Sequence, residues 1–221
     1  MAIKHKVKDF VLISSDKAIN PSSVMGATKR ATEKLMYFYT CQNNFTRFTG
    51  VRFGNVLASN GSVVPVFEDQ IKKGGPLIIT HPEMVRYFMS IEEAAQLIIQ
   101  SWALGKNGEI FVLDMGDPIK IKELAYSLIK AYGLIPGKDI KIKFTKPRPG
   151  EKLFEEISLN KKNIDKTLHS KIFVIKKEEE FDCGQFFQDI KELEESVLSG
   201  SIKKAEALKC LKKLVPNFKH E

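Results

Sequence analysis

The residues Ser14, Ser15, Asp16 and Lys17 bring two hydroxyls, a carboxylate and an amine to consecutive positions. They stand at the end of an apolar run that predicts a buried strand over residues 10–15. An acid and a base on adjacent residues suit a reaction that removes one proton and delivers another, such as the elimination of water. On spacing alone, an Asp-Lys turn beside a surface helix explains the same residues equally well.

The elements around this stretch alternate between strands and helices. Asn20-Pro21 indicates a break, and a helix is predicted from about Ser22 to Thr40. Met25 and Lys29 lie four residues apart on that helix and therefore share one face. Further strands are predicted over residues 48–53, 77–80, 109–114, 140–144 and 172–175, with helices ending near 72, 104 and 132 and two more after 181. This alternation predicts α/β architecture, in which ligands bind at the carboxyl edge of the sheet.

Composition excludes several classes of protein. The chain has 221 residues, 43% of them hydrophobic and 28% charged, a balance typical of a globular protein. The net charge is +8, but the lysines are spread out, and only the amphipathic pattern from Ile202 to His220 is clearly basic. We favour a solvated helix face there over nucleic-acid binding. His81 is predicted to lie in a loop and Trp102 in a helix core, and the three distant cysteines indicate reduced thiols rather than a metal site.

The stretch VLISSDKAINPSSVMGATKRATEK resembles the extended short-chain dehydrogenase/reductase superfamily. More narrowly, it is similar to the polysaccharide-biosynthesis branch that contains the UDP-N-acetylglucosamine 4,6-dehydratases. The resemblance extends over roughly residues 10–160, through VRFGNVLASNGSVVPVF, GEIFVLDMGDPIKIKELA and RPGEKLFEE. It implies the carboxyl-terminal part of an extended short-chain dehydrogenase (Rossmann-like) fold plus the small substrate-binding lobe. We expect a Rossmann remnant over 1–57, mixed Rossmann and substrate-binding segments over 58–160, and a helical extension over 161–221.

The resemblance also implies catalytic roles. Ser15 hydrogen-bonds the sugar near its four-hydroxyl, Asp16 protonates the departing six-hydroxyl, and Lys17 takes the proton from carbon five. Lys29 holds the nicotinamide ribose. Met25 stands where most of the superfamily has a tyrosine, and a thioether can neither accept nor donate the four-hydroxyl proton. Either Asp16 or a water held by Ser15 would then be the initial base.

Downstream residues are implied in binding the UDP-sugar. Arg86 and Arg148 would clamp the diphosphate, because the planar guanidinium matches phosphate oxygens, and Glu151 would reach the uridine ribose. Either arginine alone is more typical of a surface ion pair, but the ordered series favours binding. The residues bordering the sugar and the uracil would be Asn55, Val64, Pro65 and Ile78.

NAD is the cofactor that the resemblance implies, yet the sequence contains no glycine-rich turn of the GxGxxG or GxxGxxG type. In the family, that turn lies in βα units before the catalytic strand. We therefore expect a cytoplasmic carboxyl-terminal part, inactive without a separate amino-terminal NAD-binding half, in which Phe10 to Ile13 form an unpaired apolar edge. Full-length relatives are often membrane-anchored, and the family implies a homo-oligomer.

Whether the chain is an enzyme stays open at this point. The first interpretation is a UDP-N-acetylglucosamine 4,6-dehydratase, a lyase of surface polysaccharide biosynthesis. The alternatives are a non-catalytic UDP-sugar-binding module and an NAD-dependent UDP-sugar epimerase of the same superfamily.

Overall fold

The computed structural model describes residues 1–42, 45–59, 61–156, 163–176 and 181–219. The chain divides into two units. Unit 1 comprises Met1–Phe53, Leu97–Asp114 and Glu156–Glu221, and unit 2 comprises Gly54–Gln96 and Met115–Glu155. Each unit has a hydrophobic core of its own.

The strands and helices follow one another in the alternation that the sequence predicts. The strands are β1 (Asp9–Ile13), β2 (Arg47–Arg52), β3 (Asn55–Val56), β4 (Leu77–Ile79), β5 (Val85–Arg86), β6 (Phe88–Met89), β7 (Ile110–Leu113), β8 (Ile119–Lys120), β9 (Ile142–Phe144), β10 (Ile164–Lys166) and β11 (Ile172–Ile175). The helices are α1 (Val24–Gln42), α2 (Val63–Lys72), α3 (Ile91–Leu104), α4 (Ile121–Ala131), α5 (Cys183–Leu198) and α6 (Lys204–Leu214).

Unit 1 is built on a five-stranded sheet of order β1-β2-β7-β11-β10. β1, β2 and β7 are parallel, and β11 and β10 extend the sheet antiparallel. β2 is buried along nearly its whole length, as expected of an interior strand. In the described part of the chain β1 pairs with β2 alone, and its side chains Phe10 and Ile13 are 38% and 41% exposed.

Helix α1 leads from β1 to β2 and is covered on one side by α5 and α6. Ser23 begins the helix as its N-cap, because its hydroxyl accepts a hydrogen bond from the Gly26 amide at 3.2 Å. Two hydrogen bonds to backbone carbonyls hold the carboxyl-terminal segment on this region: the Lys34 side chain donates through Nζ to the Leu214 carbonyl at 3.2 Å, and the Lys219 amide donates to the Pro21 carbonyl at 2.9 Å. The core between these helices consists of Ala27, Ala31, Phe186, Leu211, Leu214, Val215 and Phe218.

Unit 2 consists of α2, α4 and three two-stranded ladders. The pairs β3-β6 and β4-β9 are parallel, and β5-β8 is antiparallel. Ser90 begins α3, with its hydroxyl accepting from the Glu93 amide at 3.1 Å, as its capping-box sequence predicts. The core is made by buried residues of α2, α4 and β4, together with Met84 and Ile140 outside the strands: Phe67, Ile71, Leu77, Ile79, Met84, Ile121, Ala125, Ile129 and Ile140.

The predicted α/β class is confirmed, while some details differ. The two-residue ladders were not predicted, because two residues are too short to carry a periodic pattern. The prediction that Trp102 lies in a helix core is wrong: the residue is 40% exposed, with the Arg47 guanidinium 5.8 Å from the centroid of its ring. The last helix is α6, shorter than the predicted Ile202 to His220, and His220 lies outside the described residues.

Two further points concern the predicted domain boundaries and the presence of membrane-spanning helices. The division at residues 57 and 160 stays a prediction, and the second of these boundaries falls outside the described residues. No helix of the described residues combines the length and the apolar character needed to cross a membrane.

Replacement of Gly26 by alanine tests the packing of α1 on the turn that follows β1. A Cβ at Gly26 would lie 2.2 Å from the Lys17 carbonyl oxygen, a backbone atom that cannot rotate away. We expect Gly26→Ala to lower the free energy of unfolding in urea by about 2 kcal/mol or more, as overpacking does.

Gly184→Ala provides the matched control, since Gly184 is also a helical glycine. There the atom nearest to a new Cβ is the Asp182 Oδ1, at an ordinary 3.4 Å. This variant should be neutral or more stable than the original by less than about 1 kcal/mol. Equal destabilisation by both substitutions would contradict the packing described for Gly26.

Candidate active site

The polar residues that follow β1 continue its backbone hydrogen bonding with the β2 segment beyond Ile13, the last residue of the strand. The Ser14 amide donates to the Val51 carbonyl at 2.8 Å, and the Asp16 amide donates to the Phe53 carbonyl at 3.1 Å. Ser15 is extended, and a short 3-10 helix, Asp16–Ala18, follows it. The polar residues thus lie at the carboxyl edge of the parallel strands, where open α/β folds bind their ligands.

Ser15, Asp16 and Lys17 form one hydrogen-bonded group. Asp16 Oδ1 accepts from the Ser15 hydroxyl at 2.8 Å and from Lys17 Nζ at 2.9 Å. The Lys17 amide donates to the Ser15 hydroxyl oxygen at 3.2 Å. Asp16 is only 2% exposed, and its Oδ2 is buried without a hydrogen-bond partner among the described residues. A buried oxygen of this kind is suited to a donor supplied by a bound molecule.

Helix α1 places Lys29 and Met25 differently. Lys29 Nζ donates to the Ile13 carbonyl at 3.1 Å, so its ammonium reaches the strand end next to Ser14. Met25 lies in the first turn of the helix and is 48% exposed. Its backbone carbonyl accepts from the Thr28 hydroxyl at 2.8 Å. Of the predicted catalytic residues, the structure links Ser15, Asp16 and Lys17 directly and brings Lys29 to the same strand.

A buried carboxylate behind this group was not singled out from the sequence. Glu33 accepts two hydrogen bonds from Arg52, Nε to Oε1 at 2.7 Å and Nη2 to Oε2 at 2.6 Å. Arg30 Nη1 lies 3.1 Å from Oε2, and the Ser14 hydroxyl donates to Oε1. Its spacing from Lys29 could have identified it in the sequence, because Glu33 follows Lys29 by one turn of the same helix and therefore shares its face.

The environment of Glu33 determines its ionisation. Burial alone would raise the pKa of Glu33, but the charge and hydrogen bonds of Arg52, together with Arg30 and Ser14, outweigh it and hold this pKa below its ordinary value. The carboxylate is therefore charged at neutral pH. A buried charge of this kind is tolerated only because it is paired and hydrogen-bonded.

In unit 2, the predicted diphosphate and ribose residues form a second cluster. Arg86 Nη2 lies 3.5 Å from Glu151 Oε1 and 3.8 Å from Glu155 Oε1. Glu151 Oε2 accepts from the Arg148 amide at 3.1 Å, and its Oε1 accepts from the Thr80 hydroxyl at 3.3 Å. Thr80 and Glu155 were not predicted, and only their nearness in space to Arg86 and Glu151 identifies them.

The other predicted binding residues of unit 2 lie on different elements. Asn55 is on β3, and its side-chain amide donates to the Tyr87 carbonyl at 3.1 Å. Val64 and Pro65 are in the first turn of α2, and Ile78 is on β4 with its side chain 39% exposed. His81 lies in a loop as predicted, its Nδ1 accepting from the Glu83 amide at 3.1 Å.

The fold is that of an extended short-chain dehydrogenase/reductase. Pen from Bacillus thuringiensis superposes with a TM-score of 0.71 and 36% identity, over 79% of this chain and 55% of that one. DesIV, a dTDP-glucose 4,6-dehydratase from Streptomyces venezuelae solved with NAD and DAU bound, gives a TM-score of 0.61 at 19% identity, over 71% of this chain and 53% of that one. The latter shows a shared fold alone.

The family follows from the sequence comparisons. Residues 1–177 match the model of the polysaccharide biosynthesis protein family, and the chain belongs to that family. The capsular polysaccharide biosynthesis protein CapD of Staphylococcus aureus is 55% identical over 159 residues, which are 72% of this chain and 26% of CapD. A UDP-glucose 4-epimerase of Rickettsia akari is 39% identical over 158 residues, 71% of this chain and 45% of the epimerase. The chain thus spans from a quarter to just under half of these relatives.

The ionisation of Glu33 predicts how stability depends on pH. Its pKa is lower in the folded chain than its ordinary 4.5, so its contribution is complete above that value and is lost as the pH falls through the folded pKa. Glu33→Gln should cost about 3–5 kcal/mol at pH 7, because the buried arginine charges lose their partner. It should also flatten the loss of unfolding free energy as the pH falls below 4.5, measured by urea denaturation.

Glu83→Gln is the control for this experiment. The pKa of Glu83 is also lowered, through its hydrogen bond and ion pair with Lys120, but that pair is solvent-exposed. Exposed pairs contribute little to stability, so this variant should follow the original chain at every pH. An unchanged acid dependence in Glu33→Gln would contradict the ionisation assigned to Glu33.

Proposed function

We propose that this chain carries the catalytic and UDP-sugar-binding residues of an NAD-dependent UDP-N-acetylglucosamine 4,6-dehydratase of polysaccharide biosynthesis. The observation that carries the proposal is the pairing of Asp16 with Lys17 at the carboxyl end of β1, with one oxygen of Asp16 buried and unbonded among the described residues. Membership of the polysaccharide biosynthesis protein family supports the same conclusion.

The chemistry of elimination explains why an acid and a base are needed side by side. As a neutral amine, Lys17 would accept the proton from carbon five, and Asp16 in its acid form would deliver a proton to the departing six-hydroxyl. The Ser15 hydroxyl, already bonded to Asp16, orients the sugar near its four-hydroxyl. The proton of the four-hydroxyl goes to Asp16 or to a water held by Ser15, because Met25 has no group that can accept it.

The cofactor proposed is NAD, which would supply a hydride acceptor for carbon four and, in its reduced form, a hydride donor for carbon six, so that the net change is the loss of one water. With carbon four oxidised, the proton on carbon five would be acidic. Lys29 fits its ribose, since the ammonium stands at the strand end and has donors left beyond its bond to the Ile13 carbonyl. The pyrophosphate would be held by a glycine-rich turn on another polypeptide segment. We accordingly propose that the chain alone is inactive.

The Arg86 cluster is the proposed site for the diphosphate. Its contacts with Glu151 and Glu155 are 3.5 and 3.8 Å long, whereas charge-assisted hydrogen bonds are ordinarily about 2.7–2.9 Å. Phosphate oxygens can therefore replace these loose contacts with shorter ones. Arg86 is oriented by its bonds to the Val85 and Leu153 carbonyls, at 2.7 and 3.2 Å. Arg148 would supply a second guanidinium, and Glu151 would turn to the uridine ribose.

A UDP-sugar 4-epimerase is the second candidate, favoured by the 39% identity to the Rickettsia akari UDP-glucose 4-epimerase. An epimerase inverts carbon four and releases no water. The mass of the product therefore separates the two activities in a single assay.

The test of the dehydratase is turnover of UDP-N-acetylglucosamine with NAD, in the presence of a separately produced glycine-rich NAD-binding segment. We expect a product lighter by one water in mass spectrometry. Lys17→Ala should lower kcat by about 10²–10⁴-fold, the usual contribution of a positioned base. Met25→Ala, the control in the same site, should lower it far less, because its thioether carries no proton.

The outcomes discriminate among the candidates. An isomer of unchanged mass would identify an epimerase, and binding without turnover would identify a non-catalytic module. The proposed mechanism would be contradicted if Lys17→Ala kept near-full dehydratase activity while Met25→Ala lost it.

Calorimetry tests the diphosphate site on the chain itself. UDP-N-acetylglucosamine should bind weakly, and Arg86→Met should weaken binding by about tenfold to 100-fold, the effect of losing a charged hydrogen bond. Arg47→Met is the control, because Arg47 pairs with Asp9 and lies over Trp102 in unit 1. NAD should give no measurable heat, and tight NAD binding would refute the requirement for another segment.

A further inference from the structure

The segment that carries Ser15, Asp16 and Lys17 has little internal support. Its 3-10 helix is three residues long, and its own backbone bonds are Ala18 N to Ser15 O and Ile19 N to Asp16 O, both at 3.1 Å. A single turn cannot hold its own geometry, because too few bonds compensate the ordering of its backbone. The position of the segment must therefore be determined by its anchors to neighbouring elements.

The anchors come from one short stretch of β2 and the residue after it. The Val51 and Phe53 carbonyls accept from the Ser14 and Asp16 amides, as described above. Arg52 lies between these two acceptors in the sequence, and its guanidinium binds both oxygens of Glu33. Glu33 in turn accepts from the Ser14 hydroxyl, which gives the segment a side-chain anchor beside its backbone ones.

Glu33 makes a fixed acceptor for Ser14. Two bonds from a single guanidinium determine the plane of the carboxylate as well as its position. The side chains of Glu33 and Arg52 are 0% and 1% exposed, so water does not compete for these bonds. The Ser14 hydroxyl is buried with them, and Ser14 as a whole is only 5% exposed.

We propose that Glu33 and Arg52 are a positioning pair, which fixes the geometry of Ser15, Asp16 and Lys17 through the Ser14 hydroxyl. The importance of this positioning for catalysis rests on the proposed function, in which Ser15, Asp16 and Lys17 are the catalytic residues. Neither residue touches the reacting atoms. The pair also contributes to the stability of unit 1, since it joins α1 to β2. The positioning role is the additional effect that it has on the strand end through Ser14.

Amide hydrogen exchange of the full chain, followed by NMR, tests the proposal with Ser14→Ala. This variant removes the side-chain hydrogen bond from Ser14 to Glu33 and leaves the Glu33–Arg52 pair in place. We expect the Asp16 and Ala18 amides to exchange at least about tenfold faster, since a hydrogen bond to a charged group is lost. The Val112 amide, in the centre of the sheet, should keep its rate. Glu33→Gln should accelerate the same amides of the strand end more than it accelerates Val112.

Asp9→Asn is the matched control, because Asp9 joins the other ends of the same two strands. Its carboxylate pairs with Arg47 Nε at 2.6 Å, at the start of β1 and β2. We expect the Asp16 and Ala18 amides to exchange at their original rates in this variant.

Two results would overturn the positioning role. One is unchanged exchange at Asp16 and Ala18 in Ser14→Ala, and the other is equal acceleration at these amides and at Val112, which a purely structural role predicts. Because the measurement needs neither substrate nor turnover, its result stands apart from the assay of Lys17→Ala. Failure of the proposed function and failure of the positioning pair are therefore distinguishable.

Discussion

The ion pair between Glu33 and Arg52 is the interaction on which the geometry of unit 1 depends. Glu33 belongs to α1, Arg52 to β2, and Ser14 to the end of β1, so one carboxylate connects three elements. A charge with almost no exposure must be matched by donors, and here the donors are two guanidinium groups and a hydroxyl. The helix that carries Lys29 thereby takes a fixed position relative to β1, the strand that precedes Asp16.

The Glu33 and Arg86 clusters differ in the length of their contacts and in their exposure to water. The bonds between Glu33 and Arg52 are short, 2.6 and 2.7 Å, and shielded from water. Arg86 is oriented by backbone carbonyls but lies 3.5 Å from Glu151, which is a longer and weaker contact. Short bonds of the first kind preserve one geometry. Long contacts of the second kind leave a cation able to exchange its partners for a ligand at small cost.

Much of the fold could be predicted from the sequence because its strands and helices carry strong periodic signals. The strand before Ser14, the helix with Met25 and Lys29, and the capping box at Ser90 all follow from local patterns. The Glu33 network could not be predicted in this way, because its bonds join residues 19 positions apart on separate elements. The prediction for Trp102 was wrong for a related reason. Its helix is amphipathic, and only the packed structure decides which face is covered.

The covering of α1 by the carboxyl-terminal helices has a consequence for the order in which the chain folds. Lys34 Nζ bonds to a carbonyl 180 residues further along the chain, at Leu214. The face of α1 that contains Ala27 and Ala31 is buried by Leu211, Val215 and Phe218. During synthesis this face therefore stays in contact with water, or with chaperones, until those late residues have left the ribosome. The helix beside the candidate active site is therefore made well before the residues that enclose it.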